Sequence, residues 1–377
     1  MTDLASVKKN VSELADSLRK SQRERQLRRS LDPDDFDQLR STGFHLTGVP
    51  RDQGGVRTGL SESTRSICEM LQTLARVDSS LALVASMHPS VMCFWTALPT
   101  VQSEYQAAWD RQTGYVIRRA LEGAWWGTIT SEPGTSGDLM LSKAVATPTP
   151  TGPGYRITGA KHFGSGSGMM QCMVTTAVVP GEQEPDMFII EMPPQPWDGR
   201  NGARMLAPWD GHGMTATQSH SIEFVNMPAE RSAWPGHIDK MLGAQRGAVG
   251  CMFTAVIVGI VKAATAEATR KLKPGLDTMK AFIKSSGRVR SRKHGSFSRR
   301  WRGCCGRWTT RRPAARKRCL GRSPSQSWRT PSCSGYRASS AAVSIPATHR
   351  SAIGNRTSER SAICARPGGS RLRGPSR

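Results

Sequence analysis

The apolar pattern of this chain changes its period twice, and few folds accommodate that order. Up to about residue 120 the period is helical. Ile67, Leu71, Leu74 and Ala75 recur at the spacing of one buried helix face, and Asp78 with Ser79 offers an N-cap for an apolar helix over 81–97. Residues 43–50, followed by Gly54 and Gly55, are loop chemistry. At Trp125 the pattern turns strand-like. Segments 126–130, 155–158, 173–179, 187–192 and 221–225 are short, rich in β-branched or aromatic residues, and set apart by Gly and Pro. After Pro235 the helical period returns, over about 238–272. The expected fold class is therefore α+β. It has an N-terminal α-helical domain (residues 1–122), a middle antiparallel β-barrel or sandwich (123–235), and the start of a truncated C-terminal helical domain (236–284). There is no internal repeat.

Charge separates the remainder, 285–377, from everything before it. The whole chain carries a formal charge of +24 over 377 residues. The last 93 residues hold 21 Arg and 2 Lys against a single acid, Glu359, whereas the first 284 hold 30 basic and 28 acidic side chains. The tail is rich in Ser, Pro and Arg, shows no sustained period, and cannot bury enough apolar surface to offset chain entropy, so it is expected to be a disordered basic tail. Such a run would ordinarily suggest nucleic-acid binding. It has no zinc spacing and no regular interleaving of aromatics, so no specific nucleic-acid partner is expected. An abrupt shift to Arg, Ser, Ala, Pro, Gly, Cys and Trp is also what a GC-rich message yields out of frame, and a frameshift is the reading we favour.

Cys68, Cys93, Cys172 and Cys251 stand singly in apolar surroundings, as buried reduced thiols do. No apolar leader opens the chain. The most apolar stretch, 247–261, is 15 residues, too short to cross a bilayer, and is expected to be a core helix of a cytoplasmic protein with no membrane partner. His212 and His220 lack further ligands at metal spacing, and no metal site is expected.

Residues 130–138, Thr-Ser-Glu-Pro-Gly-Thr-Ser-Gly-Asp, resemble the Thr-Glu-Pro-Gly-Ala-Gly-Ser-Asp signature of the acyl-CoA dehydrogenase family. Residues 155–166 are similar to that family's Gly-x-Lys-x-Trp-Ile-Thr-Asn hairpin, and 211–217 with 224–229 to the segments that close its barrel. These segments occur in the family's order, which is a stronger signal than any one of them. The resemblance implies FAD as cofactor, an acyl-CoA substrate, an electron-transfer flavoprotein or flavin reductase as partner, and a homo-oligomer. By position it implies cofactor contacts at Thr130, Ser131 and Gly137, an aromatic wall at Phe163 and a hydroxyl near the flavin N5 at Ser165. It also implies substrate contacts at Ser136 and Arg246. Gly137 stands where the family commonly has Ser, Phe163 where it often has Trp, and Gly164 where it has an aliphatic residue.

Dehydrogenation of an acyl-CoA needs a carboxylate that removes the α-proton while hydride leaves to the flavin. In most relatives that Glu lies in the last third of the chain, which here is the tail. Some place it just before an Arg on the first helix of the C-terminal domain, and the matching pair is Gln245-Arg246, whose amide is no base. A chain without that domain is expected to expose Val249, Phe253, Val256 and Ile260 and to bind FAD weakly. Two-component flavin monooxygenases resemble the same family, take reduced flavin from a partner reductase, and need no α-proton base. For that chemistry His88 is the candidate beside the flavin. Asp210 is expected to be a substrate contact or a surface ion pair.

Overall fold

The computed structural model describes residues 2–245 and 247–275. The basic stretch 285–377 with its shifted-frame reading, residues 276–284, and Arg246 lie outside the described residues. Six helices come first: α1 (Leu4–Leu18), α2 (Gln22–Leu27), α3 (Pro33–Ser41), α4 (Leu60–Ala75), α5 (Ser79–Thr96) and α6 (Ser103–Leu121). Asp3, Asp32 and Asp78 cap α1, α3 and α5 by accepting from the backbone N–H of Ser6, Asp34 and Leu81, and Pro33 opens α3. Helix α5 is apolar almost all round and buried along nearly its whole length, the mark of a helix enclosed by its neighbours. The loop at 43–50 contains a short 3-10 helix, Phe44–Gly48.

Seven strands follow: β1 (Trp126–Thr128), β2 (Val145–Pro148), β3 (Tyr155–Gly164), β4 (Cys172–Ala177), β5 (Asp186–Glu191), β6 (Ala203–Ala207) and β7 (His220–Arg231). They pair in the order β1-β4-β5-β7-β3-β2, with β6 also on β7. The long β7 runs beside β3 and passes its last residues, Glu230 and Arg231, to β5. Bonds from Ala146 N to Val178 O (2.9 Å) and from Val178 N to Ala144 O (2.8 Å) join β2 to the chain just past β4, so the sheet closes on itself. Ile157, Phe188, Ile190, Ile222 and Phe224 are among its fully buried side chains.

The expectation of an antiparallel module is corrected at one pair: β1 pairs with β4 in parallel. Residues 129–171 lie between those strands and include β2 and β3, the kind of long connection that parallel pairing requires. Strand β3 does not stop at 158. Register shifts after Ile157 and after Lys161 let it continue to Gly164, which carries the expected hairpin residues at its end. Strands β2 and β6 were not legible, since most of their side chains are exposed or half-exposed and Thr, Pro and Arg interrupt any alternation.

The expected helix over 238–272 is two helices, α7 (Ile238–Ala244) and α8 (Ala248–Leu272), separated where Gly247 adopts a left-handed conformation. Helix α8 packs on α4 and α5. Its Gly259 comes so close to α4 that a Cβ there would stand 2.6 Å from the Gln72 carbonyl oxygen. Of the four side chains expected to be exposed, Phe253 is (48%), Val249 and Ile260 are half-buried, and Val256 is fully buried in the core. Helix α8, 25 residues long, runs beyond the 15-residue apolar stretch 247–261, and among the described residues it is the one helix long and apolar enough to span a membrane. Its buried residues, Ala248, Met252, Ala255, Val256, Val258 and Gly259, all lie in its first half, and the remainder is half-buried or exposed, so only that half is the core helix expected. Cys68, Cys93 and Cys172 are buried free thiols, whereas Cys251 is only half-buried, on α8.

Candidate functional site

Strand β3 changes character over five residues. Lys161 is fully enclosed, and its ammonium donates to Glu132 Oε1 at 2.5 Å, to the Thr176 carbonyl at 2.6 Å and to Ser142 Oγ at 3.5 Å. Glu132 also accepts from Ser142 Oγ and from the backbone N–H of Lys143 and Ala144. Burial opposes the Glu132 charge, but the Lys161 and Ser142 hydrogen bonds and the Lys161 charge outweigh it and hold the carboxyl below its ordinary range. This pair staples the loop 131–138 to the barrel. One residue further on, His162 N donates to the Ser131 carbonyl at 2.8 Å.

Phe163 then takes a left-handed conformation (φ 55°) and turns its ring outward, 58% exposed. A bulky residue in that region is strained by about 1–3 kcal/mol, and such strain gathers at functional sites. The Phe163 ring stands edge-on to Trp209, 6.1 Å between centroids. The neighbouring loops carry the same signature, at Ser136 (φ 52°), Met214 (φ 52°) and Gln218 (φ 49°).

The turn after Phe163 is held from two sides. Gly166 (φ 77°) leaves no room for a side chain, because a Cβ would stand 2.5 Å from Val84 Cγ1 on α5. Its N–H donates to the Thr217 carbonyl at 2.7 Å. Loop 214–219 is itself anchored to the helical layer: Thr215 Oγ1 donates to the Arg28 carbonyl at 2.8 Å, and Ala216 N to Ser80 Oγ at 3.2 Å. Between turn and loop lie three buried hydroxyls in a row, Ser165 to Ser219 at 2.8 Å and Ser219 to Thr217 at 2.7 Å. Gln218 Oε1 is buried with no hydrogen-bond partner.

The structure thus brings Thr130, Ser131, Phe163 and Ser165 together at one end of the barrel. Ser136 and Gly137 lie on the exposed part of the stapled loop. His88 is a correction to the reading that set it beside a cofactor. Its ring is wholly buried inside α5, with Nδ1 accepting from Trp126 N at 3.1 Å and Nε2 donating to the His45 carbonyl at 2.7 Å. Because a backbone N–H can only donate, the proton sits on Nε2, and both nitrogens are engaged. Burial depresses its pKa to about 3. Gln245 follows α7, where its Oε1 accepts from Val249 N at 3.2 Å. Asp210 pairs with Arg29 at 3.3 Å on the surface. His212 is exposed, and His220 Nδ1 accepts from Trp209 N at 2.9 Å. Among the described residues no three His, Cys, Asp or Glu side chains converge as a metal site would require.

Trp209, Ser219 and the Lys161–Glu132 pair were missed in the sequence. The signal for the pair was present, one partner in each of two quoted segments, but pairing across bulges cannot be read from spacing. The residues present fit a flat heteroaromatic cofactor such as a flavin. The outward aromatic edge supplies a wall, while an unpartnered amide oxygen and a run of three hydroxyls sharing two bonds offer hydrogen-bonding capacity the protein itself does not use.

No family model matches the chain, and no curated protein matches it. Solved structures do. Over 80% of this chain and 76% of the other, it superposes on FMN-bound TdsC from Paenibacillus sp. A11-2, a dibenzothiophene monooxygenase, with a TM-score of 0.64 at 20% identity. KijD3, solved with FMN and a dTDP-linked amino-keto sugar, gives a TM-score of 0.67 at 18% identity over 81% of this chain and 73% of the other. Butyryl-CoA dehydrogenase from Megasphaera elsdenii gives 0.61 at 19% identity over 80% and 77%. The chain therefore has the acyl-CoA dehydrogenase fold, in which both dehydrogenases and monooxygenases occur.

Proposed function

We propose that this chain is a flavin-dependent oxidoreductase whose isoalloxazine lies against Phe163 and Ser165 at the end of the barrel. One observation carries the reading. An exposed, strained aromatic and a buried hydroxyl run follow Lys161, whose bond to Glu132 staples the Ser-Glu-Pro-Gly loop to the same strand, and these are segments that the resemblance relates to a flavin. Phe163 and Trp209 would line the ring, Ser131 and the 131–138 loop would face its polar edge, and Ser165 would bind a ring heteroatom. A bound flavin supplies the capacity to take or give a hydride or single electrons. The residues of this chain bind it, orient it and exclude water on the α5 side.

Two chemistries use such a pocket. Dehydrogenation of an acyl-CoA needs a carboxylate at the substrate, and Gln245, at one position where relatives carry Glu, cannot remove a proton. Oxygenation with reduced flavin from a reductase needs no such base, and that second reading is favoured by Gln245 and by the aromatic pair Phe163 and Trp209. FMN or FAD serves either.

The experiment is a flavin titration of the full chain followed by two assays. Anaerobic mixing with acyl-CoAs should leave the flavin absorbance intact. Reduced FMN with oxygen and an aromatic or thioaromatic acceptor should yield an oxygenated product. Bleaching by an acyl-CoA would return the assignment to dehydrogenase, and failure to bind either flavin would remove it altogether.

A further inference from the structure

The loop between α3 and α4 ends in a guanidinium with no counter-charge. Two glycines make the loop possible: Gly54 is left-handed (φ 93°), and a Cβ on Gly55 would stand 2.1 Å from the Val49 carbonyl oxygen. The loop closes on itself through Gly55 N to the Pro50 carbonyl (3.0 Å), Arg57 N to the Val49 carbonyl (3.0 Å) and Arg51 N to the Arg57 carbonyl (2.9 Å). The backbone of Arg57 is thereby fixed on both sides. Its half-buried side chain reaches the C-terminal end of α5, where Nη1 donates to the Thr96 carbonyl at 2.9 Å. That bond caps an orphan helix carbonyl and accounts for one of the five N–H groups. Among the described residues it is the only bond the guanidinium makes, and no carboxylate pairs with it.

Arg57 borders a cavity of about 680 Å³ between this loop, the end of α5 and α6. Pro50, Pro99 and Ile117 give the cavity apolar walls, and the exposed Arg51 adds a second cation. Asp52 lines it too but pairs with neither arginine, so positive charge stays in excess. We infer that this cavity binds a small organic anion, with a carboxylate in the plane of the Arg57 fork and an apolar body against the prolines and Ile117. A guanidinium held in place matches a carboxylate with two parallel hydrogen bonds, and partial burial strengthens the pair. Inorganic phosphate would meet the cation and leave the apolar walls bare. The cavity is separate from the pocket at the end of the barrel. The turn at Gly166 and the loop at Ala216 meet α5 at Val84 and Ser80, and Thr96 lies a dozen residues beyond Val84 on the same helix, about 18 Å away at about 1.5 Å per residue. The inference therefore stands apart from the flavin reading.

Calorimetric titration of the full chain tests it, with naphthoate as probe, naphthamide as its neutral counterpart and inorganic phosphate as an anion without an apolar body. Naphthoate should bind at least roughly 10-fold more tightly than either of the others. Arg57→Gln should weaken naphthoate at least roughly 10-fold and leave naphthamide unchanged. Arg51→Glu, at an exposed position that leaves the fold intact, should weaken naphthoate several-fold and decides the matter if R57Q proves too unstable to titrate. Naphthoate affinity that survives these changes, that naphthamide or phosphate equals, or that is absent up to about 10 mM overturns the assignment. Saturating FMN should leave naphthoate binding unchanged, whereas competition would put naphthoate in the barrel-end pocket and overturn the separate site. A chain that binds naphthoate through Arg57 but takes up no flavin keeps this inference and removes the flavin reading.

Discussion

Strand β3 has a closed end and an open end only a few residues apart. At Lys161 every polar valence is spent inside the protein: three ammonium donors meet Glu132, Thr176 and Ser142, and the Glu132 carboxylate is matched by Lys161, Ser142 and two backbone N–H groups. At Phe163 the backbone is strained and an aromatic ring is turned to solvent, and among the hydroxyls bonded to Ser165 one proton is left over. Both ends carry buried polar atoms, and burial alone does not tell structural from functional groups. Completeness separates these two ends, because an unspent donor costs stability unless something outside the chain takes it.

The largest expected effect lies at the closed end. Lys161→Met leaves the Glu132 carboxylate buried without its counter-charge and should destabilise the fold by about 3–5 kcal/mol, read by urea denaturation. Adding Glu132→Gln should recover part of that loss, since the neutral amide removes the unpaired charge and its oxygen can still accept from a backbone N–H. If K161M costs less than about 1 kcal/mol, Lys161 is not the staple described and the contrast between the two ends breaks.

Acid supplies the next effect, on the α5 side of the same seam. The His88 pKa stands at about 3 in the folded chain against 6.5 for the free side chain, because burial disfavours its charged form. Below pH 6.5 the unfolded chain binds a proton that the folded chain refuses. Stability from this site is therefore complete above about 6.5 and is lost as pH falls toward 3, by roughly 1.4 kcal/mol per pH unit. His45, lowered to about 4 mainly by burial, adds to the slope over the upper part of that window. The Glu132 carboxyl is depressed instead, so its contribution is present above the ordinary carboxylate value and is lost only as pH falls through its lowered pKa. Denaturation midpoints measured between pH 7 and pH 4 should fall steadily, and His88→Gln should flatten the curve. An unchanged slope in H88Q would show that His88 titrates normally.

Much of this architecture was legible from period and motif, and the reasons for the gaps are physical. Asp78 as the cap of α5 follows from local chemistry, and it is found accepting from Leu81 N. The buried face of Ile67, Leu71, Leu74 and Ala75 follows from helical spacing in the same way. His88 was misplaced because α5 continues unbroken through Pro89 and carries the ring into the core, where Trp126 N and the His45 carbonyl claim it. Those partners lie 38 and 43 residues away, and no periodicity encodes them. Ser131, Phe163 and Ser165 were reached through motif order, and their role at a flavin is the proposal made above. Trp209 and Ser219 were not, since each takes its meaning from a loop that approaches β3 only after the barrel closes.

The smallest effect on stability carries the sharpest test of the open end. Phe163→Gly removes a ring that is more than half exposed and places in the left-handed region the residue that tolerates it. Relief of backbone strain should offset the lost edge contact with Trp209, leaving stability within about 1 kcal/mol of the parent. Flavin affinity should nevertheless fall at least roughly 10-fold, about 1.4 kcal/mol, because the ring would lose its aromatic wall. A protein of parental stability that binds flavin poorly is what separates a residue held in strain for a ligand from one held for packing. If F163G instead unfolds readily and its folded fraction binds flavin normally, Phe163 belongs with Lys161, and the two ends of β3 are alike.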